Sequence, residues 1–261
     1  MVTPKIIFQT WKTPTTIPLY LQKYQEKWKE YCRELNYKYK LYSDEDLRDI
    51  IAKYFPDYLA FYDGCTRNIE RVDFSRYVIL YLQGGAYADL DTIPLKNLDV
   101  FFSMNKPVLG CEPREHREAL YQGREKVICN AFMISPPGHP LWIELMKFIR
   151  ENYKSHGNPV YNTGPMAMTL FYEENPSIFQ DTLITNSCVF FPITDTEYSL
   201  KSQGGFDHVS KDCDIENDSY VAHLWAHEWS SGFDPRFLDP NYWILGGMIL
   251  LLIFLICYKK K

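Results

Sequence analysis

The 261-residue sequence has no block of positive charge outside its last three residues: 28 Lys and Arg stand against 33 Asp and Glu, a net charge of -5. Without a basic stripe there is no electrostatic footprint for a phosphate backbone, which argues against nucleic acid as a partner. Neither G-x-x-x-x-G-K-[ST] nor G-x-G-x-x-G occurs, so ATPase and dinucleotide chemistries lack their phosphate cradles. No G-x-S-x-G elbow is present to carry a serine nucleophile. The seven cysteines (Cys32, Cys65, Cys111, Cys129, Cys188, Cys213, Cys257) are scattered, odd in number and never spaced C-x-x-C. That pattern suggests neither a zinc knot nor a dense disulfide framework. Buried free thiols are the expectation, with one disulfide at Cys213 left open for a lumenal domain. The N-terminus, MVTPKIIFQTWKT, offers a four-residue apolar run stopped by Gln9, too short for a signal-peptide core.

What is there is 46% hydrophobic and 16% aromatic, enough for one substantial core and a small accessory subdomain. A single long uncharged run, YWILGGMILLLIFLICY over residues 242–258, is followed by Lys259, Lys260 and Lys261. Its length sits at the short end for a spanning helix, and the Tyr-Trp entrance and basic exit suit interfacial anchoring. The expectation is a globular domain at 1–241, a transmembrane anchor at 242–258 and a basic tail at 259–261, in a Golgi- or ER-type endomembrane. A buried core helix is the alternative, but no polar face is present. Orientation is divided: the lysines favour a cytosolic tail and lumenal domain, whereas the missing signal peptide favours a cytosolic domain.

Short apolar runs alternate with helical periodicity. Lys5 to Gln9 reads as a buried opening strand, Leu19 to Leu35 as a helix and Tyr37 to Tyr42 as a second strand. Ser43 caps an acidic first turn leading to about Tyr54. Asn68 to Leu82 is helical, closed by Gly84-Gly85, with a strand from Ala86 to Asp89. Strands are expected at Pro107 to Cys111, Ala131 to Ser135 and Cys188 to Phe191, and helices at Leu141 to Tyr153 and Pro165 to Glu174. Residues 201–219 read as an exposed flexible loop. The alternation predicts an α/β domain with a mainly parallel sheet.

Chemistry concentrates in Asp89-Leu90-Asp91. Two carboxylates two residues apart at a strand end face one side and can hold a hard divalent cation. Such a cation, Mn²⁺ or Mg²⁺, would bridge a diphosphate and neutralise it as a leaving group. A lone D-x-D is otherwise a solvated turn, but here it follows a helix, a Gly-Gly break and a strand. The helix carries Asp73 and Arg76 at i, i+3; read blandly, that pair is a weak surface ion pair.

The run Arg71 to Leu95, RVDFSRYVILYLQGGAYADLDTIPL, resembles the defining segment of the DXD-containing retaining glycosyltransferases of family 32, which include Och1-like mannosyltransferases and inositolphosphoceramide mannosyltransferase catalytic subunits. The glucosylating toxins share an Asp-x-x-Arg pair thirteen residues before their D-x-D, the spacing between Arg76 and Asp89 here. The resemblance implies a GT-A type fold, a nucleotide-sugar donor (GDP-mannose or a UDP-hexose) and retention of anomeric configuration. It also implies that Asp73 binds donor-sugar hydroxyls, Arg76 the sugar or diphosphate, and that Tyr87 lies against the nucleotide. Asp89 would face ribose and sugar, and Asp91 would be the more direct metal ligand.

Similar segments extend the resemblance. Pro4 to Trp11 resembles the opening P-K-I-I-H-Q-x-W strand, where Trp11 would stack on the base or join the core; Phe8 replaces the family's His. Asn130 lies in a segment similar to N-x-x-x-x-S-x-x-x-H-P, where His139 reads as structural. Gly164, in Thr163-Gly164-Pro165, combines a close turn, a helix start and a ligand approach. Near the end, AHLWAHEWSS is similar to the family's H-x-W-x-x-S-W: His223 is a candidate third metal ligand or diphosphate contact, Trp225 or Trp229 packs over the site, and His227 replaces the pattern's serine. The expected activity is transfer of a hexose, mannose favoured, to a glycolipid or glycan hydroxyl. A nucleotide-sugar hydrolase and a non-catalytic membrane-anchored binding module are the alternatives; joint retention of Asp73, Arg76, Asp89 and Asp91 argues against the second.

Overall fold

A computed structural model describes residues 2–194 and 209–226. They fall in the first of two compact units, 1–226; the second, 227–261, lies outside the described residues, and with it the expected anchor at 242–258, the domain end at 241 and Trp229. Among the described residues, no helix is long and apolar enough to cross a membrane.

The chain runs β1 (Ile6–Thr10), α1 (Leu19–Glu34), β2 (Lys38–Tyr42), α2 (Asp44–Tyr54), α3 (Pro56–Gly64), α4 (Asn68–Gln83), β3 (Gly85–Ala88) and β4 (Thr92–Pro94). There follow α5 (Asp99–Phe102), β5 (Val108–Cys111), α6 (Arg114–Leu120), β6 (Ile128–Ser135), α7 (Pro140–Asn152), α8 (Pro159–Asn162) and α9 (Pro165–Glu174). The last elements are β7 (Leu183–Thr185), α10 (Ser187–Phe190), α11 (Ile215–Asp218) and β8 (Val221–His223).

Six strands form one sheet in the order β2-β1-β3-β6-β5-β7, and β4 pairs with β8 in a separate ribbon. β1 runs parallel to β2 and β3, and β5 parallel to β7, while β6 is antiparallel to both neighbours. The α/β class holds, and of the five pairings in the sheet three are parallel and two, both made by β6, are antiparallel. The pleat divides the core: Phe8, Tyr87, Leu109 and Met133 face a cluster with α4, α7 and α9, whereas Ile7, Ala86, Phe132 and Val108 face Trp28 and Phe190. Phe8, where the family carries His, is fully buried with its ring 5.5 Å from that of Tyr87, so its role is packing.

Local chemistry explains the boundaries. Ser43 and Asp46 close a capping box at the start of α2. Gly84 ends α4 at φ 65°, and a Cβ there would stand 2.6 Å from the Pro137 nitrogen. Gly85 adopts φ 95°, and its Cβ would meet the Ile6 carbonyl at 2.6 Å. The Gly-Gly break is therefore required twice over: for left-handed backbone and for close approach of β3 to β1.

Three expectations are corrected. Cys188 to Phe191 is a helical turn, α10, rather than a strand: Asn186 caps it by accepting from the Cys188 amide, and a run this short and apolar carries no distinguishing period. Cys188 and Cys213 form a disulfide, leaving Cys32, Cys65, Cys111 and Cys129 as free thiols among the described residues. The pairing partners lie 25 residues apart, a closure that linear spacing does not reveal. Of the expected loop at 201–219, residues 201–208 lie outside the described residues; 211–218 are exposed or half-buried as expected, but the stretch is anchored at both ends, where Ser210 and Ser219 are buried and Ser219 donates to the Cys188 carbonyl at 2.7 Å.

Candidate active site

β3 delivers the acidic pair. The Asp89 amide still donates to Ala131 of β6 at 2.8 Å, after which the chain turns, with Thr92 Oγ1 and the Thr92 amide both donating to the Asp89 carbonyl. Trp28 of α1 donates its indole N–H to Thr92, and Gln9 of β1 donates to the same Asp89 carbonyl at 3.1 Å. The turn is thereby held from two sides. Gln9 is itself fixed by Tyr39, whose hydroxyl donates to Gln9 Oε1 at 2.8 Å. Sequence reading missed Gln9 as a site residue; the signal was a polar residue interrupting the apolar opening strand, and it proves fully buried.

The ribbon of β4 and β8 places Thr92 opposite His223. His223 Nε2 lies 3.2 Å from Asp91 Oδ1, and one ligand atom from each of Asp89, Asp91 and His223 lies within 4.8 Å of the others. Two carboxylates and an imidazole form a donor set that suits Mn²⁺, and Mg²⁺ through its oxygens. Burial opposes charge on His223, but Asp91 first and then Asp89 and Glu112 outweigh it and raise its pKa. Two half-buried carboxylates facing one imidazole concentrate negative charge and nitrogen and oxygen lone pairs at one point, so the residues fit a divalent cation.

Asp73 and Arg76 are not the surface pair of the bland reading. Both are buried, at 4% and 2% exposure, with Arg76 Nη2 3.0 Å from Asp73 Oδ1. Arg76 Nη1 donates to the Asn130 carbonyl at 2.8 Å and lies 3.5 Å from Asp89 Oδ1, while the guanidinium stacks 4.3 Å over the Tyr87 ring. The Tyr87 hydroxyl donates to Asp89 Oδ1. Burial opposes charge on Arg76, yet Asp89, Tyr87 and Asp73 keep it well above its ordinary pKa. Burial raises the Asp89 carboxyl against the pull of Arg76, with Asp91 adding to the rise. Burial pushes Asp73 up to about 6, with Arg76 opposing.

Asn130 donates from its amide nitrogen to Asp73 Oδ1 at 3.0 Å and to the Tyr77 hydroxyl at 2.9 Å. Both N–H donors are committed, so its carbonyl oxygen is what it can offer a ligand. Thr163, the first residue of the Thr-Gly-Pro turn, donates to Asp73 Oδ2 at 2.9 Å. Gly164 is buried with Val160 Cα 3.0 Å from where a Cβ would stand, so close backbone approach by α8 accounts for the glycine. Trp11, just beyond β1, packs half-buried against the cluster of Ile17, Leu21, Leu90 and Ala226, which places it beside the D-x-D turn. His139 caps α7 by accepting from the Leu141 amide, the structural role expected of it.

A buried Asp-Arg pair therefore adjoins an acidic strand end with a histidine opposite, and the same stretch of chain is the one that comparison with known proteins picks out. Residues 18–108, which include Asp73, Arg76, Asp89 and Asp91, match the family described as glycosyltransferase sugar-binding region containing DXD motif. Over those residues the chain is similar to the DXD-containing glycosyltransferases, and the relatives extend the similarity to most of its length. It is 35% identical over 257 residues to inositol phosphoceramide mannosyltransferase 3 of Schizosaccharomyces pombe, covering 93% of this chain and 65% of that protein. It is 29% identical over 241 residues to inositol phosphoceramide mannosyltransferase 2 of the same yeast, covering 87% and 62%. An initiation-specific alpha-1,6-mannosyltransferase of Candida albicans is 30% identical over 166 residues, or 57% of this chain and 43% of that one. The chain thus spans less than two thirds of the length of these relatives.

Proposed function

We propose that this protein is a metal-dependent retaining glycosyltransferase of GT-A type that moves a hexose, mannose favoured, from a nucleoside-diphosphate sugar to the hydroxyl of a glycolipid or glycan. The observation that carries the reading is the convergence of Asp89, Asp91 and His223 within 4.8 Å, with the buried Asp73-Arg76 pair adjoining Asp89. The mannosyltransferase names of the relatives favour mannose, and hence GDP-mannose, as donor.

Asp89, Asp91 and His223 would hold the divalent cation, which supplies charge neutralisation at the departing diphosphate. Asp73 and the side-chain Oδ1 of Asn130 accept donor-sugar hydroxyls, and Arg76 holds the sugar and diphosphate side of the pocket while fixing Asp73 and Asp89. Trp11 offers a face to the nucleotide base. Asp73, the buried carboxylate beside Asp89 among the described residues, is tied up by Arg76, Asn130 and Thr163 rather than free to act as a covalent nucleophile. That commitment favours front-face substitution, with the leaving diphosphate helping to take the acceptor proton. The Cys188–Cys213 disulfide suits an oxidising compartment and favours a lumenal domain of an endomembrane enzyme, held there by the 242–258 segment.

The test is incubation of the purified protein with labelled GDP-mannose, UDP-glucose or UDP-galactose and Mn²⁺ or Mg²⁺, with inositol phosphoceramide or an N-glycan as acceptor. Metal-dependent transfer from GDP-mannose with retained configuration is expected, and Asp91→Asn should abolish it while leaving the fold intact. Equal sugar release with and without acceptor would identify a hydrolase instead, and an inverted linkage would overturn the front-face mechanism.

A further inference from the structure

Trp225 follows β8 by two positions and adopts φ 53°, in the left-handed region where a bulky side chain is rare. The amides on either side of it reach the same residue. Leu224 N–H donates to the Asp91 carbonyl at 2.8 Å, and Ala226 N–H donates to Asp91 Oδ2 at 2.8 Å. In an extended strand, amides two residues apart lie about 7 Å apart along the chain and meet different partners. The left-handed residue between them curls the chain so that one amide takes the main-chain oxygen and the other the carboxylate.

We propose that Trp225 is a positioning residue whose left-handed backbone wraps residues 224–226 around Asp91. The wrap pins Oδ2 on the Ala226 amide and leaves Oδ1 turned toward His223 Nε2, 3.2 Å away. The indole holds this conformation in place. Its Nε1–H donates to the Ile193 carbonyl at 2.8 Å, and its ring packs against two imidazoles, 4.1 Å from His223 and 4.4 Å from His116 between centroids. His116 is in turn buried beside Glu112, with Nδ1 3.4 Å from the carboxylate. The ring therefore secures both the His223 imidazole and the turn that orients its acidic neighbour. This role belongs to the backbone at 225 as much as to the side chain, and it rests on the cation reading proposed above.

Two substitutions separate backbone from ring. Trp225→Asn removes the indole but tolerates left-handed backbone, whereas Trp225→Val removes it and opposes that conformation. Hydrogen exchange at the Ala226 amide should stay slow in the wild type, quicken modestly in Trp225→Asn and quicken on the order of tenfold more in Trp225→Val. Mn²⁺ binding, followed by calorimetry without donor, should weaken in the same order. Equal exchange and equal affinity in the two variants would overturn the proposal. Trp225→Phe keeps the bulk and loses the Ile193 hydrogen bond, so it covers the case of two unfolded variants. Its Ala226 amide should exchange several-fold faster at a near-native melting temperature, and unchanged exchange would count against the role. If the wild type binds no Mn²⁺, the cation reading fails, while the exchange measurements still decide whether Trp225 orients Asp91.

Discussion

Thr163 donates its hydroxyl to Asp73 Oδ2 across ninety residues of sequence, at 2.9 Å, while Asn130 and Arg76 occupy the other oxygen. The surroundings of Asp73, the proposed donor-sugar face, are thus assembled from three separate parts of the chain around one carboxylate. Glu70 extends the scaffold. Buried completely, it accepts from the Asn162 side chain at 2.8 Å and from the Tyr153 hydroxyl at 2.9 Å, anchoring the segment that presents Thr163.

Removing only the hydroxyl tests that assembly. Thr163→Val keeps the shape and leaves Asp73 Oδ2 short of a donor, at a cost of about 1–3 kcal/mol. Catalytic efficiency toward the donor should fall by on the order of tenfold or more. Thr163→Ser, which restores the donor, should recover most of it. Steady-state kinetics with thermal melts on the three proteins would check this, and a Ser variant as poor as the Val variant would contradict it.

Much of the site was legible from one continuous stretch, Asp73 to Asp91, because a helix, a glycine break and a strand keep its residues in fixed register. The elements β1, α1, β2, α2, α4 and α7 are legible for the same reason: each is long, periodic or capped. What the sequence hid depends on distance. The β4–β8 ribbon is built from two three-residue strands more than a hundred residues apart, and Trp28 supports the D-x-D turn from another helix. The Cys188–Cys213 bond and the reversal of β6 are likewise tertiary facts. Local pattern also misled at 188–191, where a capped helical turn outweighs an apolar run.

Arg76 makes contacts that Lys cannot reproduce. Its two terminal nitrogens serve different acceptors, and its plane covers the Tyr87 ring. Arg76→Lys retains the charge, so the buried carboxylates stay compensated and the fold should survive with a modest loss in melting temperature. The fork and the stacking are lost. Transfer should therefore drop on the order of tenfold or more, with the larger change in kcat if Arg76 acts at the developing diphosphate charge. A change confined to KM would assign it to ground-state binding instead.

The raised pKa of Asp73 has a sign that can be measured in metal-free protein. With the folded value up to about 6 and the ordinary value at 3.8, the native state holds more protons than the unfolded state between these limits. Stability from this group is therefore present at low pH and declines as pH rises through the window, by up to about 1.4 kcal/mol per pH unit. Asp73→Asn lacks the titration. The stability of wild type minus that of the variant, from urea unfolding, should fall between about pH 4 and pH 6 and level off above. A difference that rises over the same interval would mean that Arg76 overcomes burial and holds Asp73 ionised.

The disulfide should matter more to stability than to the site it adjoins. It closes 25 residues ahead of β8, a loop whose cross-link is worth about 3 kcal/mol in chain entropy. Yet β8 has independent anchors: the Tyr220 amide donates to the Val189 carbonyl at 2.8 Å, the Leu95 amide to the Tyr220 carbonyl at 2.8 Å, and Ser219 to Cys188. These bonds place His223 whether or not the sulfurs are joined. Cys213→Ser should lower the unfolding free energy by about 2–4 kcal/mol and leave Mn²⁺ affinity within about threefold of wild type. Chemical denaturation and calorimetry on the two proteins decide the point. A matching collapse of Mn²⁺ affinity in a folded variant would show that the cross-link itself positions His223, making the site dependent on an oxidising compartment.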